Sequence, residues 1–335
     1  MSPGARRGWV PWLVSFAITA GIFWYLLSQI ELAELVETAR AVAPGPLVAF
    51  GLVLLAGTLA RTVRFWILLG RGAALRTIFA ITLVRNLFVD LLPARMGELT
   101  FVYFVARHTR LPAEDGLAAL VLAFLFDLVA LAPLLILGLL VVGVGDVPVS
   151  ALVAFSVVLG AGAFIALWLA GPIASAVAGW LEPRTTGWMQ SLAARLRTGS
   201  AALSQARDKG IFGRLLLLSF VVRLCKIGSY YCLVVAIMLP LGYAVEEIGV
   251  FRVLLGVVAA ELAAALPIHG IAGFGTYEAA WALSFVQLGF AREHAIISGI
   301  LTHAISQLVE YTMGTAALIW LMRPARAGGA GVASS

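Results

Sequence analysis

The sequence predicts an all-α polytopic membrane protein, built from six full spans plus two broken (re-entrant) helical hairpins in an inverted repeat. Three observations predict it. Apolar residues make up 62% of the 335-residue chain and charged residues only 12%, and mean hydropathy is +1.02. Soluble domains lie nearer ~45–50% apolar and ~25% charged. Several apolar runs reach the ~20 residues that cross about 30 Å of hydrocarbon. Two further apolar regions are interrupted midway by Pro and Gly.

The first run, 9–30, follows Arg6 and Arg7. It exceeds the ~7–15 apolar residues of a signal-peptide core, and Ala41-Val42-Ala43 lies far beyond it, after an acidic stretch. It therefore reads as a retained span. The other full spans are 46–69, 115–145, 147–170, 211–240 and 294–322.

The regions 75–110 and 249–290 each read as two apolar helices with a break between them. The first break is Leu92-Pro93-Ala94-Arg95-Met96-Gly97-Glu98, and the second runs from Leu266-Pro267 to Gly273-Phe274-Gly275. Pro removes a backbone donor and Gly admits unusual angles. Such backbone survives at membrane depth only where protein or a watery cavity satisfies its polar groups. Two re-entrant hairpins result, with two short spans and an ordinary loop as the alternative in each case.

Basic loop residues set the orientation. Arg71, Arg76, Arg107, Arg110, Arg184, Arg214 and Arg323 fall on one face with Arg6 and Arg7, while acidic Glu31, Glu34, Asp146 and Glu246 mark the other. Both termini are then cytoplasmic, in a bacterial inner (cytoplasmic) membrane. The net charge of +6 does not point to nucleic acid, because the basic residues are scattered over short loops. Segment 180–210, with Trp180 and Trp188 among basic residues, reads either as a cytoplasmic helix on the membrane surface or as a solvated linker. The tail 324–335 is Gly-rich and expected to be disordered. Gly160-Ala161-Gly162-Ala163 permits close helix packing within the chain or in a homo-oligomer.

A repeat emerges from this order. Span, broken hairpin and span over 46–145 recur over 211–322. An odd number of crossings separates the two units, so the second is inverted. Inverted repeats with a site at broken helices are a transporter architecture. Glu98 to Asp127 spans the same 29 residues as Glu278 to Gln307.

Ionisable residues at membrane depth cost about 2.5–3.5 kcal/mol each at a helix centre on insertion scales, and so mark function. The cations are Arg61, Arg64, Arg85, Arg95, Arg223 and Lys226, and the carboxylates are Asp90, Glu98, Asp127, Glu261, Glu278 and Glu310. Equal numbers imply extensive pairing. Arg61 and Arg64 share a helix face near a membrane edge, where reaching out to lipid phosphates competes with an inward role. Arg223, Lys226 and Tyr230 share another face, and His303, Gln307 and Glu310 form a polar stripe. At the breaks, Arg95, Gly97 and Glu98 open one helix, and Gly273, Gly275 and Glu278 open another. Helix N-termini and Arg both favour phosphate. Glu98 and Glu278 could cap helices, pair with Arg, or carry protons.

Cys225 and Cys232 are seven residues apart in one apolar run, ~10.5 Å along a helix, too far for a disulfide. No Cys/His cluster, HExxH, GxSxG or Walker loop is present, so no metal site, cofactor or enzyme activity is expected.

At Arg61-Thr62-Val63-Arg64-Phe65-Trp66, Asn86, Pro93-Ala94-Arg95-Met96-Gly97-Glu98, Asp127 and Gly273-Phe274-Gly275-Thr276-Tyr277-Glu278, the chain resembles a flippase-like family. That family is named after the transmembrane region of lysylphosphatidylglycerol synthases. The resemblance covers roughly 10–322 and implies movement of a phospholipid or other anionic lipid-linked molecule between leaflets. The soluble aminoacyl-transferase domain of the bifunctional synthases has no counterpart here. Ile271-Ala272 before Gly273 also departs from a tighter Pro-Gly-Gly run in relatives.

The expected function is transbilayer transport of an anionic lipid through a polar groove at the hairpin tips. Substrate would meet Arg61, Arg64, Arg85, Asn86, Arg95, Arg223, Lys226, Gly273, Gly275 and Gln307, balanced by Glu98, Asp127, Glu278 and Glu310. The alternative is a membrane-embedded enzyme or accessory subunit acting on polyprenyl-phosphate-linked sugars.

Overall fold

In hydrocarbon no water satisfies exposed N–H and C=O groups, so apolar runs of this kind fold as helices that close their own hydrogen bonds. A computed structural model of the chain describes residues 10–92, 96–143, 148–181, 211–264 and 274–323, and the described residues are helical with no strand.

The helices in chain order are α1 (Val10–Leu27), α2 (Leu32–Ala41), α3 (Pro44–Leu68), α4 (Leu75–Leu91), α5 (Glu98–His108), α6 (Ala113–Val142) and α7 (Val149–Leu181). They continue as α8 (Ile211–Met238), α9 (Val245–Ile248), α10 (Val250–Ala264), α11 (Thr276–Gln287) and α12 (Arg292–Met322). Among the described residues, four are long and apolar enough to cross a membrane: α3, α6, α8 and the Val149–Leu169 part of α7. Large apolar side chains remain exposed on them, including Leu52, Phe124, Val158 and Leu217. A surface so apolar is stable in lipid and not in water. The chain is thus a multi-pass membrane protein.

The sequence boundaries hold to within a few residues, with three differences. A short amphipathic helix, α2, occupies the acidic stretch after the first run; it exposes Glu31 and Glu37 and buries Thr38. Helix α7 continues past residue 170, through Pro172, to Leu181. A proline is tolerated there because a spanning helix has neighbours to satisfy the freed carbonyl. Finally, α12 carries so many polar residues that its length, not its hydropathy, marks it. The remainder of 180–210 and the tail 324–335 lie outside the described residues.

Both interrupted regions contain a helix on each side of the break. Their second arms, α5 and α11, have 11 and 12 residues. At 1.5 Å per residue these reach only ~16–18 Å. Packing folds each pair together: α4 lies on α5, and α10 on α11. At the first break the approach is so close that a Cβ on Gly97 would sit 1.9 Å from the Phe88 carbonyl oxygen.

Helices α3 and α8 form the most extensive contact, crossing where Gly57 would bring a Cβ to 2.9 Å from Cys225 Cβ. Around this pair α4 packs on α12, α10 on α6, α5 on α6 and α11 on α12; α6 also touches α8, and α7 lies outside α6. The α12 helix buries Thr302, His303, Ser306 and Gln307 with its apolar positions. Both cysteines are free, as their spacing on α8 requires.

Candidate functional site

A cavity of about 490 Å³ opens between α3, α4, α6, α8 and α12. The volume falls in the ~300–1,000 Å³ range of small-molecule sites. It is lined by Arg61, Arg64, Arg85, Arg223 and Lys226, and by Glu98, Asp127, Glu261 and Glu310, with Asn86, His303 and Gln307. Five cations face four carboxylates in an otherwise apolar protein.

Most of these charges are locked in pairs. Arg64 is 1% exposed and holds Asp127 across α3 and α6 through both terminal nitrogens, Nη2–Oδ2 being 3.2 Å. Its Nη1 also donates to Ser219 Oγ of α8 at 2.9 Å. The option that Arg64 extends to lipid phosphates is therefore overturned: it points inward, because only Asp127 and Ser219 compensate its charge there. The network continues from Asp127 to Arg223 (3.9 Å), from Arg223 to Glu261 (3.7 Å), and from Glu261 to Lys226. It thereby ties α3, α6, α8 and α10. Pairing of this quality is needed, because a buried charge left alone is strongly destabilising.

A second pair joins the arms of the first break. Arg85 of α4 donates from Nε to Glu98 Oε2 at 2.7 Å and from Nη2 to Oε1 at 2.5 Å, a two-pronged geometry that Arg alone supplies. Glu98 stands in the first turn of α5, where a carboxylate also suits the helix dipole.

Arg61 differs. Its guanidinium donates from Nη1 to Asn86 Oδ1 at 3.1 Å, and among the described residues no carboxylate forms an ion pair with it. Arg85 Nη1 donates to the same oxygen at 3.1 Å. Asn86 is 5% exposed, and its Nδ2 is buried without a hydrogen-bond acceptor. One wall therefore presents a cation that no carboxylate among the described residues contacts directly, with Asp127 and Glu310 acting on it only from a distance, beside an amide whose N–H bonds find no acceptor.

The opposite wall is built by α11 and α12. Glu278, 0% exposed, accepts the Gly275 N–H on Oε2 at 2.6 Å and meets His303 Nδ1 with Oε1 at 2.5 Å. Gly275 has φ +95°, a conformation that glycine alone adopts without cost. The imidazole lies between the rings of Phe274 and Tyr277, each 4.4 Å away. Its Nε2 is 3.0 Å from Gln307 Nε2.

The predicted residues Arg61, Arg64, Arg85, Asn86, Glu98, Asp127, Arg223, Lys226, Gln307 and Glu310 all line this one cavity. Glu278 sits directly behind His303, and Gly275 caps it. Arg95, Gly273 and the Asp90 side chain lie outside the described residues. Sequence reasoning did not find Ser219, since a lone serine in an apolar helix has no distinguishing signal. It placed His303 in a polar stripe without finding Glu278 as its partner.

The segments Arg61–Trp66, Gly97–Glu98, Asp127 and Phe274–Glu278 thus converge on one cavity and the wall behind it. The family model described as the lysylphosphatidylglycerol synthase TM region matches residues 12–314. The chain belongs to the family of the lysylphosphatidylglycerol synthase transmembrane region. Membership makes it a membrane protein related to lipid handling. No curated protein and no solved structure matches the chain. The charged cavity lies wholly within the family match, and so does the departure at Ile271-Ala272, which is outside the described residues.

Proposed function

We propose that this protein moves an anionic phospholipid, or another anionic lipid-linked molecule, between leaflets, with the headgroup in the charged cavity and the acyl chains in the surrounding lipid. The observation that carries this reading is Arg61, a cavity-lining cation without an ion-pairing carboxylate among the described residues, set beside the unaccepted N–H groups of Asn86. Guanidinium and amide donors match phosphate oxygens. A volume of about 490 Å³ suits a headgroup and not a whole lipid.

In this reading the two breaks are re-entrant hairpins. Arms of 11 and 12 residues support it, since both fall below the ~17–25 residues of a full crossing. The packing supports an inverted repeat. Exchanging α3, α4, α5 and α6 for α8, α10, α11 and α12 turns the α4–α12 contact into α10–α6. It likewise turns α5–α6 into α11–α12, and α3–α4 into α8–α10. The helices α1 and α12 would then complete six spans, with both termini on the cytoplasmic side of a bacterial inner membrane. No chemistry on the lipid is part of this reading.

Exchange of fluorescent phosphatidylglycerol and phosphatidylcholine between leaflets of proteoliposomes tests it, read by quenching of the outer leaflet. Wild type is expected to exchange the anionic lipid faster, and Arg61→Gln to lose that preference. Folded protein that exchanges neither lipid would overturn the reading. Covalent alteration of the lipids on incubation would replace it with the enzyme alternative.

A further inference from the structure

Glu278 and His303 form a buried acid–imidazole pair for which holding helices together is an insufficient account. Glu278 is fully enclosed, yet His303 and Gln307 line the cavity, so Glu278 is one side chain from the cavity. With Nδ1–H donated to Glu278, a neutral imidazole offers Nε2 as an acceptor to the Gln307 amide N–H at 3.0 Å. Gln307 is 6% exposed, and its Oε1 is buried without a hydrogen-bond partner. Rotating that amide by half a turn exchanges the two atoms. The oxygen then accepts an N–H from a protonated Nε2 in the same place. The site can therefore satisfy His303 in both protonation states with one small rotation, since amide orientation is set by the hydrogen bonds available.

We infer that the Glu278–His303–Gln307 cluster is a proton-binding site coupled to occupancy of the cavity, so that one proton accompanies each anionic headgroup. The inference rests on the lipid-transport reading. Without the extra proton the pair carries one buried negative charge, and with it the pair is neutral. An anion entering beside Arg61 adds negative charge to the same low-dielectric cavity and so favours the protonated pair. By linkage, protonation favours the anion equally. Of the other titratable groups that share the cavity, Tyr277 of α11 packs its ring 4.4 Å from the imidazole, and Cys225 lines the cavity from α8. Arg61 faces it from α3, Arg85 from α4, Arg223, Lys226 and Tyr230 from α8, Glu261 from α10, and Glu310 from α12 itself. Arg64–Asp127, Arg85–Glu98 and Lys226–Glu261 are already paired. Helix α2 meets α12 at its far end, where His294 Nε2 lies 3.4 Å from Glu34 Oε1.

The step balances simply. A proton from water on the acidic side binds His303 Nε2, the lipid phosphodiester carries one negative charge, and the pair crosses without net charge. The proton returns to water on the alkaline side. A pH gradient therefore drives the lipid, and a membrane potential does not.

The test uses proteoliposomes of the full chain with fluorescent phosphatidylglycerol and an imposed pH difference. The lipid is expected to accumulate about tenfold per pH unit in the leaflet facing the alkaline side, the equilibrium ratio for one proton per lipid. A potassium–valinomycin potential should leave that ratio unchanged. In Glu278→Gln and His303→Gln the equilibrium distribution should stay even at every gradient, whatever the rate. Gln307→Leu, which keeps the pair but removes the acceptor of the protonated form, should reduce the accumulation. An even distribution in wild-type vesicles that do exchange the lipid overturns the coupling and leaves the transport reading standing. Vesicles with folded protein and no exchange under any gradient remove both.

Discussion

Arg61 and Asn86 are joined by one hydrogen bond, Nη1 to Oδ1 at 3.1 Å, and this bond holds in place a cavity guanidinium that no carboxylate among the described residues contacts. Because Arg85 donates to the same oxygen, Asn86 orients two cations at once, while its own Nδ2 is buried without an acceptor.

Replacing Arg61 should therefore impair function and leave the fold intact. Arg61→Gln breaks no contact ion pair among the described residues, so the thermal midpoint in detergent should move by only a few degrees. A hydrogen bond to a charged group contributes ~1.5–3 kcal/mol, which corresponds to roughly 10–150-fold in anionic-lipid exchange. Arg61→Lys should recover part of the loss. Equal exchange in Arg61→Gln and wild type would contradict the role.

Asp127 should behave in the opposite manner. Asp127→Ala leaves Arg64 buried with no counter-charge, a loss of about 3–5 kcal/mol. The thermal midpoint should fall sharply and detergent-solubilised protein should aggregate. Arg64→Met combined with Asp127→Leu should restore much of the stability, since an apolar pair of similar volume needs no compensation. A double variant no more stable than Asp127→Ala would show that the pair is not what Asp127 contributes.

Gly97 admits no side chain. Gly97→Ala places a Cβ 1.9 Å from the Phe88 carbonyl oxygen, a backbone atom that cannot rotate away, so α5 must shift relative to α4. Overpacking of this kind costs ~1–3 kcal/mol. It should also disturb the Arg85–Glu98 pair that bridges the same arms. Gly51→Ala on α3, which meets nothing within 4 Å, is the control and should be neutral or mildly stabilising. Thermal unfolding of the two variants side by side decides the point.

The crossing of α3 and α8 is open to a direct chemical test. Gly57→Cys in a Cys232→Ser background brings a thiol against Cys225, and mild oxidation should join the two helices. Mass analysis after proteolysis would detect the linked peptides. A Gly51→Cys variant, one turn and a half away and facing open space, should stay unlinked.

Much of the fold is legible in the residues themselves. The apolar runs predict α3, α6 and α8 to within a few residues, because hydrocarbon leaves the backbone no alternative to a helix. The interruptions at Pro93 and Pro267 mark where two helices replace one for the same reason. Helix α2 was hidden, since its ten residues pack against α8 and α12 on contacts distant in the chain. The ionisable residues were legible as a set, because each is costly in an apolar helix. Their partners were not. Nothing local to Arg64 distinguishes Asp127, 63 residues away, from Glu98 or Glu261.

By itself, then, the sequence determined that this chain lives in a bilayer, roughly where most of its long helices lie, and which charged residues needed an explanation. Those are one-dimensional consequences of hydropathy and backbone hydrogen bonding. Only the tertiary structure decided that Arg64, Arg85 and Lys226 each contact a carboxylate while Arg61, among the described residues, does not, and that Glu278 meets a histidine. Pairing depends on which side chains the packed helices bring within hydrogen-bond reach, and that distance has no counterpart along the chain.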